Sequence, residues 1–237
     1  MECLAMDETK GVVRLKTVVY AGTANLYDAM RVSVTSLLVN NKIDRVYLLI
    51  EHDTFPHPMP DNVKVINVSN QTFFPPDGAN YKTRWTYMSL LRCALTKILP
   101  HNKKVLWLDC DTIIDGDISG IFKTDMDGMY YAGVREPEKS KGRTYINVGV
   151  LLINLEQIRK DKFEDRLIET LNMERLSLPD QDAINNLAQG KIKLLDGRFN
   201  YTPFTEMTGQ RTIYHYAANI YFYTERMFLK YRERKLT

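Results

Sequence analysis

Two carboxylates, Asp109 and Asp111, stand one residue apart at the end of the apolar run Val105-Leu106-Trp107-Leu108. Carboxylate oxygens suit a hard divalent cation such as Mg2+ or Mn2+, and such a cation can bridge and neutralise a diphosphate. A turn that merely begins with acids would give the same letters. What favours chemistry is the run ahead of the pair, which is too short for a helix and reads as a strand buried on both faces. In an open α/β sheet, ligands sit beyond the carboxyl ends of the strands, so both acids would lie at the mouth of a site. Cys110, between them, is turned back toward the sheet by strand alternation and there serves packing.

Other residues invite similar scrutiny. Trp85, Met88, Leu95 and Leu99 form an apolar stripe on a helix expected over 86–99, and Arg92 falls inside that stripe. An inward arginine needs an anionic partner, because an unpaired buried charge is costly. A phosphate oxygen would serve, and so would a structural ion pair with an acid at the core edge. Asn147 and Gly149 open the apolar segment ending at Asn154, as a turn or bulge or as part of a site. Asp180, in Pro179-Asp180-Gln181-Asp182, precedes a helix and can be its cap. His215 lies in the strand-like patch 213–216 and becomes a metal ligand only if the fold carries it to the two acids.

The elements that must position these groups alternate. Strands are expected over 17–20, 45–50 and 63–68, with a helix between the first two carrying Leu26, Met30, Val34, Leu37 and Leu38 and ending near Asn40-Asn41. Prolines 56, 58 and 60 make 52–61 a loop, and Pro75-Pro76 and Gly78 make 70–80 another. The later half gives strands over 129–134 and 149–154 around a polar segment 135–143. It also gives helices over 162–176 and 181–187 and short strands over 191–195 and 212–216. Strand-helix-strand units of this kind predict an α/β fold, a Rossmann-like, mostly parallel central sheet with helices on both faces.

The whole chain narrows the function classes. Its 237 residues fit one domain with a sizeable core, and 44% hydrophobic with 26% charged residues is ordinary for a globular protein. A net charge of +3 gives no argument for nucleic acid. Cys3, Cys93 and Cys110 share no metal-ligand spacing, which points to a reducing compartment. No signal peptide or membrane-spanning stretch is visible, so the expected location is the cytoplasm.

In order and spacing these pieces resemble the retaining glycosyltransferases of family 8, the glycogenin and bacterial lipooligosaccharide galactosyltransferase family, over roughly residues 17–216. Leu108-Asp109-Cys110-Asp111 resembles the family's metal-binding Asp-x-Asp. Residues 145–155 resemble its Asn-x-Gly strand and are the most specific match, 180–185 resemble its Asp-Gln helix start, and Arg92 stands seventeen residues before Asp109. The resemblance implies a GT-A fold spanning 1–237. It implies Mn2+, with Mg2+ as the substitute, held by Asp109, Asp111 and His215. It also implies a donor pocket for a UDP-sugar, with UDP-glucose and UDP-galactose foremost. Ala21, Thr23, Asn25 and Tyr27 would line its uridine end, the Asp109-Cys110-Asp111 segment its diphosphate, and Arg92, Asn147, Asp180 and Gln181 the sugar. Asp180 and Gln181 would be the catalytic pair. Gln181 is a poor nucleophile, which favours front-face attack with Asp180 orienting sugar hydroxyls. The acceptor would be a carbohydrate, glycolipid or protein.

The resemblance has gaps. Bacterial members follow the metal-binding His with Gly and Lys, and neither occurs in His215-Tyr216-Ala217-Ala218-Asn219-Ile220-Tyr221. Arg226 or Lys230 would then have to meet the diphosphate. Thr23 stands where the galactosyltransferase branch keeps an Asp. The segment 221–235 interleaves aromatic and basic residues, so it can pack on the core or lie as a peripheral helix on an anionic membrane. A non-catalytic nucleotide-sugar-binding protein and a nucleotidyltransferase are the rival readings. The latter would usually open with a Gly- and Lys-rich phosphate loop, which 21–27 lacks.

Overall fold

Val18 and Tyr20 pack on one face of the first strand and Val19 on the other, all fully buried, so helices must cover both sides. The computed structural model describes residues 15–237 except 141, 204, 206–208, 218–221, 235 and 237, and the backbone alone at 138 and 222. Cys3 therefore lies outside the described residues, as do 221 and 235 at the ends of the expected terminal helix.

The first half runs β1 (Thr17–Ala21), α1 (Tyr27–Asn40), β2 (Arg45–Ile50), β3 (Val63–Asn67), α2 (Thr86–Leu90), α3 (Leu95–Ile98), β4 (Lys104–Leu108), β5 (Thr112–Ile114) and α4 (Ser119–Phe122). The second half runs β6 (Tyr131–Arg135), α5 (Pro137–Ser140), β7 (Ile146–Asn154), α6 (Leu155–Lys160), α7 (Phe163–Met173), α8 (Pro179–Leu187), β8 (Ile192–Leu194), β9 (Ile213–His215) and α9 (Arg226–Arg232). Among the described residues, seven strands form a sheet in the order β3-β2-β1-β4-β7-β6-β8, and β5 pairs with β9 in a separate ribbon. Strands β1 to β4 are mutually parallel, as is β6 with β8, whereas β7 runs antiparallel to both of its neighbours.

This order sets the site. The chain winds outward from β1 through β2 to β3, then returns to place β4 on the other side of β1. The crevice of such a sheet opens where the winding reverses, beyond the carboxyl ends of β1 and β4. Ala21 ends β1 and Asp109 follows β4, and the Cys110 thiol spans the gap by donating to the Ala21 carbonyl at 3.2 Å. Because β7 is antiparallel, its beginning rather than its end reaches this crevice.

The helix expected over 86–99 is broken. Helices α2 and α3 are separated by a 3-10 turn, Leu91–Cys93, that carries Arg92. Strand β7 starts three residues earlier than the expected 149, and β5, α4, α5 and α6 were not foreseen. The terminal basic-aromatic segment packs on the core: Phe228 and Tyr231 of α9 are 2% and 1% exposed. Among the described residues no helix is long and apolar enough to cross a membrane.

Candidate active site

The pairing of β5 with β9 sets Thr112 opposite His215 and so brings the imidazole to the acids. Its Nε2 lies 3.4 Å from Asp111 Oδ1 and 3.8 Å from Asp109 Oδ2. One ligand-capable atom from each of the three lies within 4.8 Å of the others. Two carboxylates and one imidazole are a donor set suited to Mn2+ or Mg2+, and the ring is pre-oriented. Nδ1 shares a 2.9 Å hydrogen bond with Asn200 Oδ1, which fixes Nδ1 as the proton-bearing nitrogen and leaves Nε2 facing the acids.

Gly149 explains how the imidazole gains entry. A Cβ on this residue would sit 2.1 Å from His215 Cε1 and 2.7 Å from Nε2, so only glycine fits. Opposite β6 the start of β7 is also bulged, with a register shift between Gly133 and Val134. The bulge frees backbone groups for side chains: Val148 N donates to Gln181 Oε1 at 3.3 Å, and Val148 O accepts from Arg92 Nη1 at 2.5 Å. The bulge and the site are one feature.

Arg92 is 4% exposed and makes the ion pairs its position demanded. Its Nη2 donates to Asp109 Oδ1 at 2.8 Å and its Nε lies 2.9 Å from Asp180 Oδ2. The guanidinium also sits over Trp107, 4.6 Å from the ring centroid, and Trp107 Nε1 donates to the same Asp109 oxygen. Asp180 is not a helix cap. The cap position is Leu178, with Pro179 opening α8, and Asp182 accepts from the Leu178 N–H at 2.8 Å instead.

These charges move one another. Burial alone would lower the His215 pKa, but the Asp111 and Asp109 carboxylates outweigh it and raise it above the ordinary imidazole value. Burial pushes Asp111 up, yet the His215 charge and hydrogen bond carry the net shift down. Asp180 goes up, because burial and the nearby Asp109 charge exceed the pull of Arg92.

A cavity of about 580 Å3 opens over this cluster. Ala21, Thr23, Asn25, Arg92, Asp109, Cys110, Asp111, Asn147, Asp180, Gln181 and His215 all line it. Tyr27 does not: its ring packs against Phe55 and its hydroxyl meets His52 Nδ1 at 2.8 Å. The two bases considered for the diphosphate are elsewhere as well. Lys230 is bound to Asp115 at 2.5 Å, and exposed Arg226 is not among the lining residues.

Three contributors escaped the sequence reading. Glu136 Oε2 accepts from Gln181 Nε2 at 3.1 Å and from Asn147 Nδ2 at 3.3 Å, tying two expected donor-sugar residues together. Asn200 bridges His215 to Asn147 Oδ1 at 2.9 Å. Trp107 was read only as strand. Glu136 opens the polar segment after β6, a weak signal, and nothing local marks Asn200.

The model of glycosyl transferase family 8 matches residues 17–223. The chain belongs to that family. A protein of Haemophilus influenzae named as a glycosyltransferase is 28% identical over 169 residues, covering 60% of this chain and 51% of the relative. The glycosyltransferase GlyA of Streptococcus pneumoniae is 26% identical over 202 residues, 78% of this chain but 28% of GlyA. The chain thus spans about half, or less, of the length of these relatives. Galactosyltransferase LgtC, solved with donor and acceptor sugar analogues, superposes with a TM-score of 0.67 at 19% identity, over 86% of this chain and 87% of LgtC. At that identity the likeness establishes the GT-A fold.

Proposed function

We propose that this chain is a retaining, metal-dependent hexosyltransferase that uses a UDP-sugar, with UDP-glucose and UDP-galactose the first donors to try. The observation that carries the reading is the meeting of Asp109, Asp111 and His215 within 4.8 Å at the topological switch point, beneath a roomy cavity. Those three would hold Mn2+ or Mg2+, and the ion, when bound, would offset negative charge on the departing diphosphate.

The chain's own residues would do the rest. Arg92 holds both Asp109 and Asp180, so neither carboxylate would have to reorient as charge develops in the transition state. Asp180, 6% exposed yet on the cavity wall, would orient hydroxyls of the donor sugar. Gln181 is committed at both ends of its amide, to Val148 N through Oε1 and to Glu136 and Tyr145 through Nε2. An amide so held shapes the pocket and is a poor nucleophile, which supports front-face attack. Thr23 and Asn25, at the end of β1, would meet the uridine.

The test is release of UDP from UDP-glucose and UDP-galactose by the purified chain with Mn2+. Release that vanishes with chelator and in Asp111→Asn supports the proposal. Tight UDP binding without turnover, with any donor or acceptor in the panel, would replace it with a binding protein, and pyrophosphate release from a nucleoside triphosphate would replace it with a nucleotidyltransferase.

A further inference from the structure

The lip of the cavity carries two cations that the metal cluster and its wall do not use. Arg84 and Lys139 both line the cavity, and among the described residues neither has a carboxylate within ion-pair distance. Arg92, the cavity's other arginine, is by contrast held by two acids. Glu136, three residues before Lys139 and a natural partner, has its Oε2 committed to Asn147 and Gln181. The Lys139 ammonium instead lies 5.9 Å from the centroid of the Tyr145 ring, whose hydroxyl bonds Asp182 and receives Gln181 Nε2. Lys139 is therefore built onto the end of the donor-sugar wall rather than left on open surface.

Beside Arg84 stands Trp85, partly exposed, with the guanidinium 4.7 Å from its ring centroid. An indole face at a cavity mouth offers the flat apolar surface on which the C–H face of a pyranose stacks. The next residue, Thr86, has φ +59°. A β-branched residue in the left-handed region is strained, and such strain is retained where the surrounding structure gains by it. Here the turn that Thr86 completes is the one that brings Arg84 and Trp85 to the cavity mouth.

We propose that Arg84, Trp85 and Lys139 form an acceptor subsite for an anionic hexopyranose, one bearing a phosphate or carboxylate. The ring stacks on Trp85 while its anionic group meets these two cations, whose hydrogen bonds to a charged oxygen are stronger than those to a neutral hydroxyl. This rests on the transferase reading, since it makes the subsite the place from which the attacking hydroxyl arrives.

The chain's two tryptophans, Trp85 and Trp107, both line the cavity and make binding visible without turnover, and the Trp85→Phe variant tells which of them reports the sugar. Glucose, glucose 6-phosphate and glucuronate are titrated against the full chain with Mg2+ and UDP present. The expected result is an anionic sugar binding about ten-fold tighter than glucose. Arg84→Ala/Lys139→Ala should erase that preference with glucose affinity kept, and Trp85→Phe should silence the optical response. Equal affinity for all three sugars, no response at all, or a preference that survives the double variant overturns the proposal. So does a double variant that loses UDP affinity and keeps its sugar preference, which would assign the cations to the donor. A chain that releases UDP from its donor but shows no anion preference refutes this subsite alone, whereas a chain with no release in any condition refutes the transferase reading.

Discussion

The two ends of the cavity are built by opposite strategies. Around β4, β7 and α8 a continuous net joins His215, Asn200, Asn147, Glu136 and Gln181, and a second ties Arg92 to Asp109, Asp180 and the Val148 carbonyl. At the end of β1, Thr23 and Asn25 bond to each other at 2.5 Å, and Asn25 is exposed. The first wall is fixed before any ligand arrives, which is how a site meets charge that appears only during reaction. The second keeps polar groups in water, where exchanging one partner for another costs little, so it suits a recognition task that tolerates adjustment. Under the proposed function, the rigid wall is the one that faces the reacting groups.

If that contrast is sound, substitutions should rank accordingly. Gly149→Ala is expected to have the largest effect, because the methyl would occupy the imidazole's place. UDP release should fall by a factor of about 10²–10³ or more, and overpacking should cost about 1–3 kcal/mol in denaturant unfolding. Arg92→Met should come next for turnover and should cost more in stability, about 3–5 kcal/mol, because it leaves two carboxylates uncompensated. A stable Arg92→Met protein with normal turnover would dissolve the contrast. Asn200→Ala should weaken Mn2+ affinity about 10–100-fold, read by calorimetry, while the secondary structure seen by circular dichroism stays unchanged.

A buried acid with no guanidinium sharpens the point from outside the site. Glu164, 5% exposed, accepts from Thr96 N and from the Thr96 hydroxyl, and burial raises its pKa against those bonds. A raised carboxyl binds its proton more tightly folded than unfolded. Its stability contribution is therefore complete below the unfolded carboxylate range and fades as pH rises through the folded value. Glu164→Gln should remove that fade, measured as a flatter melting temperature from pH 4 to pH 7. The smallest effects belong to Thr23→Ala and Asn25→Ala, with stability within about 0.5 kcal/mol and only the donor's KM displaced. A stability loss there as large as that of Arg92→Met would erase the distinction between the walls.

Sequence showed most of the fixed wall but not its frame. Asp109 and Asp111 were singled out because they follow an apolar strand, a local boundary that periodicity marks, whereas Asn147, Gly149 and Asp180 sit at boundaries where a turn, bulge or cap was equally open and only the family resemblance gave them a place in the site. Helix 86–99 misled for the opposite reason. It contains no Gly or Pro, and what breaks it at Leu91–Cys93 is a long-range demand, the reach of Arg92 toward Asp109 and Asp180. The antiparallel course of β7 was hidden too, because a fully buried strand reads the same in either direction. Glu136 and Asn200 act only through partners 11 to 53 residues away, and no window of sequence shows such a pairing.

Gly149 has a use beyond this molecule. Where the backbone of another chain follows the same path, a single letter reports whether the imidazole still reaches the acids, since any side chain there evicts it. A chain carrying alanine or serine at that place, with its strand unmoved, should have lost the imidazole from the proposed metal cluster whatever its acids look like.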